Sequence, residues 1–392
     1  MLSKINFHIK RYVISGIHPD VEKGGAGKFL WSLMECPEAN NYIFMYPRKT
    51  KSIRNMLADR YYHSVLFEII HRVINRILFC FRVFVVSHHD IIIFHPQSIG
   101  YRLVNRILKN AKSIKYFVLD NSYFCIKSYN VLDKQECLHC LDNTDSIPDE
   151  CTNKNKRIIN NYLIYQQMLI SSSKKIEFFF QNHLQKKLFD KSFLRKQYKS
   201  SVIGMVPDDI FINDKNVDIP NKDDLLRGEY DRIIVFHGAD VNAKGSKFAK
   251  ELAARLPGVK FIFPFINHGK TYKKNVMQVD CKWDSGLKNY VCLADMVLVP
   301  SLWSAPIEGA LLKSLYYGRK VAVVETEYGF SREIPDDLLI VLPNNYDLAA
   351  DIIYSVLYTT GNDSVDDKYK RRQWINNCIN NSDICKLFRD VF

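Results

Sequence analysis

Continuous apolar runs of four to six residues recur along the chain: Tyr12–Ser15, Tyr42–Met45, Ile91–His95, Tyr116–Leu119, Ile176–Gln181, Ile233–Phe236, Lys260–Phe265, Met296–Val299, Val321–Val324 and Leu338–Leu342. They do not alternate with polar residues, and segments with helical spacing separate them. Strands buried on both faces read this way, so the pattern predicts parallel sheets in an α/β chain. The runs fall into two groups, divided by a polar stretch rich in Asn and Asp at 208–230. This places a first α/β domain at 1–207, a linker at 208–230, a second α/β domain at 231–360 and a helical tail at 361–392. In the tail, Lys368–Ile379 reads as a basic helix. Two such domains in series enclose a cleft at the carboxyl ends of their strands, where open α/β sheets bind ligands.

The length of 392 residues agrees with two or three domains, because single cores stop growing near ~250–300 residues. With 47% hydrophobic and 25% charged residues, a disordered chain is excluded. No run reaches the ~18 apolar residues of a spanning helix. The first residues lack the apolar core and cleavage site of a signal peptide. A cytoplasmic protein is therefore expected, with its ten cysteines mostly reduced. Six of them, Cys36, Cys80, Cys281, Cys292, Cys378 and Cys385, are scattered like ordinary small buried residues.

Charge changes the picture. The net charge of +13 suggests a polyanionic partner or an anionic membrane surface. A nucleic-acid partner is not expected, because no nucleic-acid-binding motif accompanies the charge. The stretch 151–200 holds eleven Lys/Arg and two acids. It is either a solvated helical face or a surface for anionic lipid or a lipid-linked phosphate. His63–Val86 sets apolar residues and Arg72, Arg76 and Arg82 at helical spacing. Two readings stay open for it: an interfacial amphipathic helix, or a buried helix with snorkelling arginines.

Three segments carry candidate chemistry. Gly24 and Gly25 follow the first strand, where glycines admit a ligand to the backbone and a helix amino terminus offers N–H groups to an anion. After the strand ending at Phe236 come His237-Gly238 and then Lys244-Gly245, a lysine placed to neutralise a phosphate. The richest segment, Ala294–Val324, reads strand, loop, helix, glycine stop, strand. In it Ser304 is the expected N-cap, with Pro306 in the first turn and Gly318 as the C′ residue. The helix amino terminus at Ser304–Ile307 is a ready anion site. A fourth segment, Cys125-x11-Cys137-x2-Cys140-x10-Cys151, fits tetrahedral zinc by ligand type; free thiols and disulfides are the other readings.

The Lys244-Gly245 loop, Ala294-Asp295, Pro300-Ser301-Leu302-Trp303 with its helix, and Gly318-Arg319-Lys320-Val321 together resemble the donor half of GT-B glycosyltransferases, above all family 4. Gly24-Gly25 is similar to that family's first-domain glycine loop. Pro207, Asp208, Asp209 and Phe211 stand where its strand-end element precedes the donor domain. The resemblance implies two Rossmann-like domains facing a cleft. It implies sugar transfer from a nucleotide-sugar donor to a saccharide or lipid-linked saccharide, with retention of configuration and no cofactor required for catalysis. Bacterial surface polysaccharide such as O-antigen or capsule is the implied product, made at the inner face of the membrane. The implied donor-binding set is Gly24, Gly25, Gly238, Lys244, Ser301, Ser304, Pro306, Ile307, Gly309 and Lys313. Asp120 and Glu308 are the implied catalytic residues, and His95 lies on the acceptor side. Cys125, Cys137, Cys140 and Cys151 form an insertion at about 121–156, with structural zinc as its candidate metal.

Departures accompany the likeness. The family's Glu-x7-Glu pair aligns with Ala305 and Lys313, its loop arginine with Ala239, and its histidine before Asp120 with Leu119. Glu308 remains, either to bind a hydroxyl of the donor or to complement the helix dipole. These changes support one alternative, a non-catalytic member that scaffolds a glycosyltransferase; a nucleotide-sugar epimerase of the same fold is the other, although such enzymes need acid/base carboxylates and histidines in the cleft.

Overall fold

The computed structural model describes residues 11–389 except 21–24, 50–52, 54–55, 57–61, 143–146, 152–155, 193–196, 205–209, 212–220, 227, 268–272 and 360–364. Pro207, Asp208, Asp209 and Gly24 lie outside the described residues. The first sheet contains β1 (Arg11–Ser15), β2 (Tyr42–Met45), β3 (Asp90–Phe94) and β4 (Ser113–Phe117). A small hairpin, β5 (Val131–Leu132) and β6 (Gln135–Glu136), leaves the sheet, which resumes with β7 (Ile176–Phe180) and β8 (Lys199–Val202). The six strands of the sheet are parallel, in the order β2-β1-β3-β4-β7-β8.

The second sheet repeats the plan with β9 (Arg232–Phe236), β10 (Val259–Phe263), β11 (Val276–Gln278), β12 (Met296–Leu298), β13 (Lys320–Val324) and β14 (Ile340–Leu342). Its order is β11-β10-β9-β12-β13-β14, again parallel. In β9, Ile233 and Val235 enter one core while Ile234 and Phe236 enter the core on the opposite face. Both faces are buried, which is why the run is continuously apolar.

Order reverses at one place in each sheet. The chain goes outward from β1 to β2 and returns to the other side of β1 with β3. It does the same from β9 through β11 and back to β12. Such a reversal opens a crevice at the carboxyl ends of the two strands concerned. Residues 16–20 and His95 therefore flank the first crevice, and residues 237–245 and 299–308 the second.

The tail joins both halves. Its Val365–Asn380 helix buries Ile375 in the second core, and Arg371 and Arg372 bond the carbonyls of Gly318 and Tyr316. The chain then crosses back, and Leu387 and Phe388 enter the first core beside Phe29 and Phe117. The buried ammonium of Lys115 donates to the Leu387 carbonyl at 2.9 Å. Cys36 and Cys385, expected as scattered reduced thiols, instead form a disulfide, with Cα atoms 5.8 Å apart across 349 residues of sequence. Only this long return brings them together, so no local pattern signals the pair.

Candidate active site

The first crevice is built on strained backbone. His95 has φ 57° and ψ 72°, left-handed and directly before a proline. A non-glycine residue held there costs on the order of 1–3 kcal/mol, and such positions cluster at functional sites. The turn is held by the Ser98 amide, which donates to His95 Nδ1 at 3.3 Å. Nδ1 is thus the acceptor, which leaves Nε2 as the donor to Asp120 Oδ2 at 3.3 Å. Asp120 Oδ1 accepts from the Ser122 amide at 2.9 Å. The two residues assigned to the acceptor side and to catalysis therefore form one pair. His95 lines a cavity of about 540 Å³ with Gly16, His18, Gly25, Arg48 and Tyr129. Gly25 begins the helix Gly25–Met34 and a Cβ there would meet nothing within 4 Å, so it sits at the cavity without being forced by packing.

The second crevice centres on an ion pair. Lys244 Nζ lies 2.7 Å from Glu308 Oε1, and Ser301 Oγ donates to the same oxygen at 2.6 Å. Glu308 is 6% exposed and the Lys244 side chain 24%. The Lys244 ammonium also stands 5.3 Å from the Trp303 ring centre. Gly245 makes this assembly feasible. Its φ is +71°, and a Cβ there would lie 1.9 Å from the Pro300 carbonyl oxygen. Only glycine lets the β9 and β12 loops approach so closely, where Leu302 N bonds Ala243 O at 2.9 Å. Gly238 likewise clears the Phe236 ring, 2.7 Å from where its Cβ would be.

Several expected roles change. The helix after β12 is Gly309–Tyr317, with Glu308 at the N-cap position and no side-chain cap. Ser304 is not the N-cap, Pro306 is not in the first turn, and the amino terminus is at Gly309 rather than Ser304–Ile307. The first domain holds that loop instead. Asn121 donates to the Ser304 carbonyl at 2.9 Å, Asn130 bonds the Ser304 hydroxyl at 2.8 Å, and Asn182 donates to the Pro306 carbonyl. Glu136 accepts from the Ser304 hydroxyl and from the amides of Glu327 and Tyr328. Ile307 packs against the second core. Glu308 complements Lys244 rather than capping the helix. Lys313 is buried with its ammonium 5.1 Å from the Trp283 ring, the ring on which His237 stacks. Gly318 follows the helix with extended backbone (φ −71°), not as a left-handed C′ residue. A Cβ would meet Ser314 O at 2.7 Å, so close packing requires this glycine.

The two crevices meet through Tyr129, which lines the His95 cavity and touches Trp303 with ring centres 4.5 Å apart. Asn121, Asn130, Glu136, Asn182 and Tyr129 belong to no motif in the sequence. The one signal among them is that Asn121 adjoins Asp120.

Cys125, Cys137, Cys140 and Cys151 all line one cavity of about 10 Å³. All four are reduced. Burial pushes the Cys125 thiol up to about 12 and the Cys140 thiol to about 11, so both are protonated and poorly nucleophilic. Four thiols around one space match zinc by ligand type. Among the described residues, however, no three His, Cys, Asp or Glu side chains form a group that could hold a metal ion as they stand. Beneath Asp120, burial raises the phenols of Tyr101, Tyr116, Tyr123 and Tyr165 well above the ordinary range, so this floor stays neutral.

No family model matches the sequence, and no curated protein matches it. Solved structures do match. Sucrose-phosphate synthase from Thermosynechococcus elongatus is 12% identical, with 95% of this chain and 93% of that one covered and a TM-score of 0.54. Anabaena HepE in complex with UDP and glucose is 11% identical over 95% and 97% of the two chains, with a TM-score of 0.58. WaaG, a glycosyltransferase involved in lipopolysaccharide biosynthesis, is 13% identical over 96% of each, with a TM-score of 0.52. These proteins share the GT-B architecture, and over nearly its whole length this chain has the GT-B fold.

Proposed function

We propose that the chain is a glycosyltransferase moving a sugar, with retention of configuration, from a nucleotide-sugar donor to a saccharide or lipid-linked saccharide acceptor of surface-polysaccharide assembly. One observation carries this reading. The Lys244–Glu308–Ser301 cluster and the His95–Asp120 pair occupy the strand-order reversals of their two sheets and meet through Tyr129 and Trp303. Support comes from the fold neighbours, whose names include HepE with UDP and glucose, a trehalose-6-phosphate structure bound with UDP-2-fluoro glucose, and WaaG in lipopolysaccharide biosynthesis.

In this reading, the bond between the sugar's anomeric carbon and the diphosphate oxygen breaks, and its electron pair stays on the diphosphate. An ammonium has three N–H donors. Lys244 gives one to Glu308 and turns the others to the developing anion, so no reorganisation is needed as charge forms. The acceptor hydroxyl attacks from the same face, and its proton passes to the leaving diphosphate. Asp120, held by His95 and Ser122, orients sugar hydroxyls as a fixed acceptor.

Asp120→Asn tests the acceptor half. The amide keeps the shape but gives up the charge and mismatches the His95 Nε2 donor. Transfer is expected to fall roughly 10–150-fold, the scale of one hydrogen bond to a charged group, with nucleotide affinity unchanged. Transfer within a few-fold of wild type would remove Asp120 from the site.

A further inference from the structure

The Tyr62–Val86 helix is turned inside out. Eleven of its leucine, isoleucine, valine and phenylalanine side chains are 43–72% exposed, among them Leu66, Phe67, Ile70, Ile74, Ile77 and Phe81. At 3.6 residues per turn all eleven fall on about half the circumference, in a strip about 30 Å long from Leu66 to Val85. Its inward side carries the polar residues Glu68 and Asn75 beside Val65, Phe79 and Val83. Soluble monomers rarely expose apolar patches beyond roughly 300–600 Å², and larger ones mark interaction surfaces. Eleven large side chains at about half exposure exceed that.

Charge identifies the partner. Arg76 and Arg82 stand on the shoulders of the strip rather than within it, and Arg72 lies on the inward side. Glu68, the one acid of this helix, is buried and bonded to Arg72 at 3.2 Å. The neighbouring helices of the same face, Tyr101–Asn110 and Lys156–Ser171, contain no acid and carry Arg102, Arg106, Lys109, Lys156 and Arg157. Arg106 sits 3.4 Å above the Phe84 ring, at the rim of the strip. A second copy of this face would oppose cations to cations. An anionic bilayer complements both features, since apolar residues enter the acyl boundary while arginines reach lipid phosphates.

We propose that this helix lies in the surface of an anionic lipid bilayer and docks the first domain on it. It does not span, because among the described residues no helix is long and apolar enough to cross a membrane. Docking also aims the cleft. Arg76 donates to the carbonyls of Ser98 at 3.2 Å and Ile99 at 2.5 Å, in the turn that holds His95. The strip is thereby tied to the crevice that would receive a lipid-linked acceptor. That consequence rests on the proposed sugar transfer; the docking does not.

The test is co-sedimentation of the full chain with vesicles of phosphatidylcholine alone or mixed with phosphatidylglycerol. Three proteins are compared: wild type, Ile77→Glu/Phe81→Glu and Arg82→Glu. The altered side chains point outward, and circular dichroism checks folding. Wild type is expected on the mixed vesicles. The double variant should lose at least tenfold in partitioning, and Arg82→Glu severalfold on mixed vesicles only. Equal recovery of wild type and double variant overturns the proposal, as does no recovery of wild type on mixed vesicles. Sedimentation velocity adds the competing outcome: a dimer that the double variant converts to monomer, without vesicle binding, would assign the strip to a second copy. Because vesicles report no transfer, failure here leaves the proposed activity standing, and a dead enzyme that still docks leaves the docking standing.

Discussion

Lys244→Ala is expected to lower turnover with a nucleotide-sugar donor by roughly 100–1,000-fold, the usual loss when one donor to a developing anion is removed. Ground-state nucleotide binding should weaken by about 1–3 kcal/mol. The side chain matters because it is already fixed, with Glu308 at 2.7 Å and the Trp303 ring below. The same substitution strands Glu308, which is 6% exposed. Breaking a fully buried pair costs about 3–5 kcal/mol, and here less, since Lys244 is partly exposed to water. Lys244→Ala/Glu308→Gln separates the two effects. It removes the stranded charge, so the melting temperature should recover while nucleotide affinity stays low. Calorimetric titration at matched stability is the measurement. Wild-type affinity in the double variant would exclude Lys244 from the donor site.

Gly245→Ala should be the most damaging small change in the second domain. Left-handed backbone costs a non-glycine residue about 1–2 kcal/mol. Overpacking adds about 1–3 kcal/mol, because the new methyl would sit against the Pro300 carbonyl. The β9 and β12 loops must part to admit it, and that separates Lys244 from Glu308 and Ser301. A lower melting temperature and weakened nucleotide binding are expected together. Alanine at Gly258 is the control, as nothing lies within 4 Å of its Cβ position. If thermal denaturation shows Gly245→Ala no less stable than Gly258→Ala, the close approach is not what holds the site.

The strands that pack on both faces were legible because they must be apolar throughout: β3 reads Asp-Ile-Ile-Ile-Phe and β9 Arg-Ile-Ile-Val-Phe. Of the four edge strands, β2 and β14 keep enough apolar residues to read as runs, whereas β8 and β11, Lys-Ser-Ser-Val and Val-Met-Gln, are only partly covered and gave no such run. His95 and Asp120 were legible as strand-end residues, though β3 stops at Phe94 and β4 at Phe117. Their pairing was not, since it depends on one left-handed backbone angle. The helix after β12 was misread at its start for a physical reason. Ser304 is a good capping residue, but Asn121, Asn130 and Glu136 from the first domain take its hydroxyl and backbone groups, and tertiary bonds override the local preference. The Tyr62–Val86 helix had clear periodicity, yet its pattern is equally apolar whether the strip faces in or out. Part of the basic surplus at 151–200 likewise proved structural: Lys175 bonds the carbonyls of Lys109 and Ala111, and Lys191 lies 3.7 Å from Glu327 across the domains.

The central claim, a nucleotide-sugar site at the β9–β12 crevice, is tested most directly by thermal denaturation against a panel of nucleotide sugars. The panel is run on wild type and on Lys244→Ala/Glu308→Gln. A ligand at 100 times its Kd stabilises a fold by about 2.7 kcal/mol. The account predicts that at least one member raises the wild-type melting temperature by several degrees and that the shift collapses in the double variant. No response of wild type to any member, or an equal response of both proteins, would contradict it.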